Sequence, residues 1–272
     1  MSNTTIQRNA TLAAKRHDTA KGVAAARLAS GKQINRASEG AAELAAAAKL
    51  SSATKSVAAA TSNARRAVSF GQIADGAMGQ IQDEVVRMKE LAVSASSDTF
   101  DDVDRAKANA EVTKRLDTIS KIVSTTRFGD AVLLDGTGGD SGMFKFQVAE
   151  KAGDEVTLDL SAKFDIATLT LGDINVNTYA DAQIAIGNCD EAIGLLNDGR
   201  AAVGAFMAGM ESTITVNEVK GENLQGALDV LMSADIAKEA TNQAIADIRS
   251  QLAQTVISKE NRSAASVLVL LQ

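Results

Sequence analysis

The chain has 272 residues, of which 45% are hydrophobic and only 3% aromatic, and it contains neither proline nor tryptophan. Aromatic side chains supply much of the buried area of compact cores, and proline interrupts helices, so this composition favours long, closely packed helices over a loop-rich fold. The net charge of −6 and the pI near 5.0 argue against nucleic-acid binding by the whole chain.

The charge is unevenly distributed along the chain. Residues 1–36 contain seven basic residues and one acidic residue, a net charge of +6, so the remainder carries −12. A basic, weakly amphipathic start can face solvent, another subunit, an acidic partner helix or a membrane surface, and we predict a solvated or subunit-facing helix. No apolar run reaches the ~18 residues of a membrane span, and the first 30 residues lack the hydrophobic stretch of a cleavable secretory signal.

The first predicted helix is marginal and is followed by a polar break. Its apolar positions recur at steps of about 3.5 residues: Ile6, Ala10, Ala13, Ala20 and Ala24. This narrow seam predicts a helix that needs partners to be stable. In the break, Ser30 and Gly31 are expected to end this helix, and Ser38 is expected to start the next one.

Two further helices precede residue 128. The first runs from Ala41 to about Ser97, and its clearest seam is spaced in steps of four and three: Ile81, Val85, Met88, Ala92 and Ala95. The second opens at an acidic cluster and has its own stripe: Val112, Leu116, Ile119 and Val123. We interpret the acidic cluster at Asp101, Asp102 and Asp104 as a favourable first helical turn and not as a metal site.

Between Phe128 and Val176 the period changes from helical to alternating. Phe144, Phe146 and Val148 alternate with polar residues, and so do the apolar residues of 156–160. The glycine-rich segment 136–142 is not followed by Gly-Lys-Ser/Thr or by a predicted helix, so we interpret it as a turn and not as a phosphate-binding loop. The pattern predicts a small β-rich insert.

Helical spacing returns at about Asp181 and continues to the end of the chain. Ser233-Ala234-Asp235 interrupts it, and the final helix carries a stripe at Ile245, Ile248, Leu252 and Val256. The single cysteine, Cys189, is predicted to be a small buried side chain, and the apolar residues 267–271 are expected to be covered by another helix or chain.

These patterns predict a mainly α protein: an elongated antiparallel helical bundle or coiled coil formed by both chain ends, with a small β-hairpin insert. With one cysteine and one histidine, we predict no metal site, no cofactor and no catalytic residues.

Several segments resemble bacterial flagellin, and they occur in that family's order. They are Ser30-Gly31-Lys32-Gln33-Ile34-Asn35, Asp75-Gly76-Ala77-Met78, Arg87-Met88-Lys89-Glu90-Leu91-Ala92-Val93, Arg127-Phe128-Gly129, Glu222-Asn223-Leu224, Asp235-Ile236-Ala237 and Ser266-Val267-Leu268. Each segment is weak alone, but together they cover roughly residues 28–135 and 220–272.

The resemblance implies a structural subunit of the flagellar filament, which polymerises through terminal coiled-coil helices and serves swimming motility. Residues 1–39 and 233–272 would form the inner tube, residues 40–130 and 178–232 the outer-tube bundle, and residues 131–177 the insert. The expected assembly seams are Ile81, Val85, Met88, Ala92, Leu116, Ile119, Ile245, Ile248, Leu252 and Val256.

The resemblance also implies partners and a location. We expect a homopolymer outside the cell, type III export without a cleaved signal peptide, an export chaperone, and filament cap and junction proteins. Nucleic acid, cofactors and a membrane span are not expected. Arg87, Leu91 and Glu111 match the positions that an innate immune receptor contacts in some flagellins.

Two alternatives remain open at this point. The hook–filament junction protein shares the terminal pattern, and a soluble helical binding module could use the basic residues 1–36. A metallopeptidase of the kind that some flagellins carry needs a His-Glu-x-x-His helix, and His17 is the only histidine here, so we predict that the chain is not an enzyme.

Overall fold

The structure, a computed structural model, describes residues 2–162 and 164–270, with side chains at 5, 8–162, 164–260 and 262. Within this part the elements are α1 (Ser2–Ser30), α2 (Ala41–Ala95), α3 (Asp102–Thr125), β1 (Arg127–Phe128), β2 (Ala131–Val132), β3 (Met143–Gln147), β4 (Glu155–Asp159), α4 (Tyr179–Met232) and α5 (Ile236–Leu270). The predicted mainly α class with a small β-hairpin insert is confirmed. The apolar residues 267–271, for which we expect burial, lie outside the described side chains.

The chain divides into two compact units. The terminal unit comprises Met1–Thr54 and Glu222–Gln272, and the central unit comprises Lys55–Gly221. In the terminal unit α1 and α5 pack side by side. Ion pairs link Lys21 to Asp247 and Arg27 to Glu239, so residue numbers rise on one helix as they fall on the other and the pair is antiparallel.

The predicted end of α1 and the predicted run of α2 from Ala41 are confirmed, but Ser38 does not start α2. The helix ends at Ser30, and Gly31 follows with a φ of 67° while its N–H donates to the carbonyl of Arg27 (2.8 Å), as a glycine after a helix commonly does. α2 begins at Ala41, three residues after Ser38. The carboxylate of Glu39 turns back to accept from the N–H of Asn35 (3.2 Å), which keeps this segment in a turn.

The two breaks in the helices are joined to each other. The N–H of Gln33 donates to the carbonyl of Met232 (2.7 Å), and the N–H of Ala234 donates to the carbonyl of Gly31 (3.0 Å). α5 then starts with Asp235 accepting from the N–H of Lys238 (3.1 Å), so the last residue of the predicted interruption caps the helix. We call residues 31–40 and 233–235 together the paired break.

The central unit is built on a continuous apolar core contributed by α2, α3, α4 and the insert. α3 starts as predicted, with Asp101 accepting from the N–H of Asp104 (2.8 Å). The core side chains that are essentially inaccessible to solvent include Met78, Ile81, Met88, Ile119, Leu133, Leu134, Leu160, Leu169, Leu171, Leu196 and Met210. Burial on this scale makes the central unit the stable part of the chain.

The insert contains two antiparallel hairpins, β1–β2 and β3–β4. In the second hairpin Phe144 lies opposite Leu158, and Phe146 lies opposite Val156, so the predicted alternation places these side chains on the core-facing side. Gly142, with a φ of 87°, cannot carry a side chain, because a Cβ there would lie 2.5 Å from the Cα of Ser161. The glycine-rich segment is therefore a turn, as predicted.

Two asparagines attach the end of the β3–β4 hairpin to the helices. The amide of Asn217, a buried side chain on α4, donates to the carbonyl of Val148 (2.8 Å), and the amide of Asn63 on α2 donates to the carbonyl of Gln147 (3.2 Å). Because an unpaired buried carbonyl is costly, these bonds fix where the hairpin ends against the bundle.

Candidate assembly interface

The inner face of α5 is mostly polar and alanine-containing. The least exposed positions along this helix follow alternating steps of four and three: Glu239, Gln243, Ala246, Ser250, Ala253, Ile257 and Glu260. This is the heptad spacing of a helix that packs against a single partner. The hydroxyl of Ser250 donates to the carboxylate of Asp18 on α1 (2.7 Å), which shows that this face meets α1.

Polar contacts hold much of the α1–α5 pair. The ammonium of Lys21 lies 2.5 Å from the carboxylate of Asp247, and Ala24 and Ala246 are the buried aliphatic side chains of the two helices in the described part. Small alanine side chains let the helices approach closely but remove little apolar area from water. The pair is thus held weakly by its own contacts.

The outer face of α5 carries large aliphatic side chains that remain exposed. Ile245, Ile248, Leu252 and Val256 are 41%, 58%, 61% and 46% exposed, and their spacing of three, four and four places them on one side of the helix. We call these four residues the α5 stripe. They are the predicted C-terminal seam. They lie beside the buried positions that face α1, and Ile245 borders the groove between α1 and α5. A continuous exposed apolar stripe marks an interaction surface.

The other predicted seam residues lie inside the central unit. Ile81, Val85, Met88, Ala92 and Ile119 are at most 1% exposed, and Leu116 is partly buried against the same core. In the isolated chain these residues therefore hold α2, α3 and α4 together, and they offer no surface to a second copy.

An exposed charge network joins α2 to α3. Arg87 pairs with Glu90 (2.8 Å) and with Glu111 (3.3 Å), while Arg115 pairs with Glu111 (3.1 Å) and with Glu84 (2.8 Å). Hydrogen bonds from Arg115 and Arg87 lower the pKa of Glu111, although partial desolvation opposes them. Hydrogen bonds from Glu90 and Glu111 raise the pKa of Arg87.

Of the three residues that match the receptor-contact positions of some flagellins, two belong to this network. Arg87 and Glu111 are in direct contact, and Leu91, one helical turn after Arg87, is partly buried against the core. The three residues therefore share one region of the central unit, but its two charged groups already neutralise each other.

Cys189 is fully buried on α4, as predicted for a small apolar side chain. Burial raises the pKa of its thiol to about 11, and neighbouring Asp190 adds to the rise while Lys89 opposes it. A protonated thiol is a poor nucleophile and a poor metal ligand. Among the described residues, no three histidine, cysteine or acidic side chains are grouped closely enough to hold a metal ion.

A charged cluster beside the paired break was not among the sequence predictions. Arg27 on α1 reaches Glu239 at the start of α5 (3.3 Å) and Glu39 before α2 (3.8 Å), and the side chain of Glu239 is only 10% exposed. The apolar seam of α1 contained a signal for this cluster, because Arg27 follows Ala24 at a position that the heptad spacing predicts to face inward.

Taken together, these features define a structural protein that assembles with copies of itself. Its central unit has a continuous buried core, while its terminal helices are weakly paired and keep an apolar stripe in solvent. Within the described residues, no helix has an apolar stretch long enough to cross a membrane.

Comparison with known proteins identifies the family. The model of the bacterial flagellin N-terminal helical region matches residues 2–138, and the model of the flagellin C-terminal helical region matches residues 186–271. The chain belongs to the bacterial flagellin family, and the predicted resemblance is confirmed.

Individual relatives agree with this assignment. The chain is 32% identical over 248 residues to a flagellin of Halalkalibacterium halodurans, with 90% of each chain covered. It is 29% identical over 268 residues to the flagellar filament 31.3 kDa core protein of Treponema maltophilum, again with 90% of each covered. These relatives are similar to the chain along nearly its whole length.

Two solved structures are also similar. The crystal structure of Bacillus cereus flagellin superposes with a TM-score of 0.52 at 28% identity, covering 57% of this chain and 88% of that one. A protein from Vibrio parahaemolyticus described as flagellar hook-associated superposes with a TM-score of 0.59 over 71% of this chain and 99% of that one. At 12% identity, the second likeness concerns the fold alone.

Membership of this family establishes the function in outline. The protein is a structural subunit of the flagellar filament, a homopolymer in the extracellular part of the flagellum that serves motility, and it is not an enzyme. The predicted filament subunit is thereby confirmed.

Proposed function

We propose that the terminal unit carries the polymerisation of this filament through the α5 stripe. The inner tube would consist of residues 1–39 and 233–272, with α1 and α5 paired in each subunit. The observation that carries this proposal is the exposure of four large aliphatic side chains on one side of α5, beside the mostly polar face that meets α1. Packing this stripe against neighbouring subunits would remove its apolar area from water.

The central unit would supply the outer tube. Residues 40–130 and 178–232 would form its helical bundle, and residues 131–177 would form the insert, which faces outward. The fully buried seam from Ile81 to Ala92 supports this role, because a well-packed core transmits load between subunits without deforming. Arg87, Leu91 and Glu111 would form the surface open to an innate immune receptor on unpolymerised chains, and a receptor would have to replace the existing Arg87–Glu111 pair.

The partners of the unassembled chain follow from the same stripe. An exposed apolar stripe invites aggregation, so an export chaperone would cover α5 until the subunit is released. Export through the flagellum's own type III apparatus would need no cleaved signal peptide. Cap and junction proteins would contact the two ends of the filament, where the stripe of the last subunit has no neighbour of its own kind.

Seeded polymerisation of the Leu252→Asp variant tests the proposal. A carboxylate in the centre of the stripe would have to lose its hydration when a subunit adds to the filament, so we expect elongation from wild-type seeds to fall at least about tenfold. The matched control is Val103→Asp on α3, which starts from a similarly exposed aliphatic side chain, 62% against 61%, in the central unit. If Leu252→Asp elongated filaments as fast as the control, the α5 stripe would not be the polymerisation surface.

A further inference from the structure

A second apolar feature of the terminal unit lies on α1. Leu12 is 48% exposed, and its neighbours at i−4, i+3 and i+4 are Arg8, Lys15 and Arg16, all of them exposed. Residues at these spacings share one face of a helix, so three cations surround one aliphatic side chain. None of the three forms an ion pair within the described side chains. We call these four residues the Leu12 knob.

An apolar groove with a charged border lies beside the paired break in the same unit. It has a volume of about 740 Å³ and an apolar lining that includes Ile34, Leu50, Val230 and Leu231. Val230 is 87% exposed, the largest exposed fraction of any large hydrophobic side chain in the described part. The polar lining consists of Gln33, the guanidinium of Arg27 and the carboxylates of Glu39 and Glu43. Whereas Glu39 lies 3.8 Å from Arg27, Glu43 is exposed and has no ion pair within the described residues.

We propose that the Leu12 knob of one copy binds in this groove on the next copy, an inference that rests on the proposed function of the terminal unit. The knob is aliphatic with a cationic border. The groove is aliphatic, and of its two carboxylates Glu39 already faces Arg27, which leaves Glu43 to attract the knob. Neither feature is satisfied by contacts within the described part of a single copy.

The positions of the two features make this contact directional. Eighteen residues of α1 separate Leu12 from the helix end at Ser30, a distance of about 27 Å at 1.5 Å per residue, so a copy cannot place its own knob in its own groove. A contact that joins one patch of a subunit to a different patch of a second copy is heterologous. Such contacts propagate as open polymers when they do not close into a ring. The knob and groove would thus add subunits head to tail, and the α5 stripe would remain available for other neighbours.

Charge reversal tests the ionic part of the contact. Lys15→Glu and Glu43→Lys should each raise the critical concentration for polymerisation about fivefold, because each turns an attraction into a repulsion. The double variant should return to within about twofold of wild type, because the pair is restored with its signs exchanged. Lys238→Glu, at another exposed lysine of the terminal unit, is the control and should change the critical concentration less than twofold. A double variant as impaired as the two single variants combined would overturn the contact.

Cross-linking tests which segment occupies the groove. Filaments that carry both Leu12→Cys and Val230→Cys should give a ladder of disulfide-linked oligomers under mild oxidation, while wild-type filaments, whose Cys189 is buried, should give none. A ladder from Val230→Cys combined with Leu252→Cys, and none with Leu12→Cys, would assign the groove to the α5 stripe and disprove the proposal. The two proposals fail in different ways. If the cross-linking contradicts the knob and groove contact but wild-type chains still elongate seeds, only this contact is wrong. If wild-type chains do not elongate seeds, the proposed function is contradicted.

Discussion

At the scale of single residues, burial decides the chemistry of the one cysteine. Cys189 lies on α4 without exposed surface, and desolvation of the thiolate raises its pKa to about 11 from an ordinary value of 9.0. The sequence predicted the burial from helical spacing alone. It could not predict the size of the pKa shift, because that depends on the packing around the thiol and on Asp190 and Lys89.

The raised pKa of the thiol predicts how stability depends on pH at the alkaline end. Below pH 9 the thiol is protonated in both the folded and the unfolded chain. Between about pH 9 and 11 only the unfolded chain loses the proton, so the folded state loses stability, by on the order of 1–2 kcal/mol. Urea unfolding of wild type and Cys189→Ala from pH 8 to 11 measures this contribution, and the variant should show the shallower decline. Parallel curves for the two proteins would contradict it.

At the scale of elements, the helices and the hairpin follow from local signals, while the link between α2 and α3 does not. Asp101 caps α3, Asp235 caps α5 and Gly31 ends α1, each through a short-range contact that a sequence pattern can reveal. The pairing of Arg87 with Glu111 joins residues 24 positions apart. Such a pair depends on how two helices pack and has no local signature.

The α2–α3 network predicts a specific acid sensitivity. Hydrogen bonds from Arg115 and Arg87 depress the pKa of Glu111 below its ordinary value of 4.5. The ionised carboxylate therefore stabilises the fold fully above pH 4.5, and this contribution is lost as the pH falls through the lower pKa of the folded chain. We expect Glu111→Gln to be less stable than wild type at pH 7 and to lose less stability on acidification. Thermal unfolding between pH 3 and 7 measures both effects.

Glu90→Gln is the matched control for that experiment. Glu90 also pairs with Arg87 but lies on the same helix, three residues later, so its loss removes no contact between helices. If the two variants had the same acid profile, the link between α2 and α3 would not be the cause.

At the scale of the whole molecule, the two units differ in how much apolar surface they bury. The continuous apolar core consists of residues between Ala64 and Met210 and therefore belongs to the central unit alone. The buried side chains described in the terminal unit are few and mostly small or polar: Ala24, Ile34, Ala47, Glu239, Ala246 and Ser250. Because the hydrophobic contribution scales with apolar area removed from water, the terminal unit is the less stable of the two.

This difference predicts the course of limited proteolysis. Trypsin should first cleave unassembled chains at lysines and arginines of the terminal unit, leaving a resistant fragment close to residues 55–221. Filaments should be cut at least about tenfold more slowly at the same sites, because subunit contacts bury the terminal helices. Mass spectrometry of the fragments identifies the cut sites. Equal protection of both units in the unassembled chain would contradict the prediction.

The sequence by itself determined the helical class, the order of the elements, the positions of the two helix breaks and the family. These depend on local composition, on periodicity and on motifs that need no knowledge of contacts across the fold. It also identified the stripe on α5, because four large aliphatic residues at helical spacing are visible in any reading of the chain.

Only the tertiary structure decided what each apolar face contacts. Periodicity shows that a helix has an apolar side, but it does not reveal whether that side meets the same chain or another one. The seam from Ile81 to Ala92 proved to be intramolecular. In contrast, α5 presents Ala246 and Ser250 to α1 and leaves the four residues of the α5 stripe exposed. The physical reason is polarity: α1 presents Asp18, Lys21 and Arg27 to α5. These groups pair with Ser250, Asp247 and Glu239, and not with large aliphatic side chains.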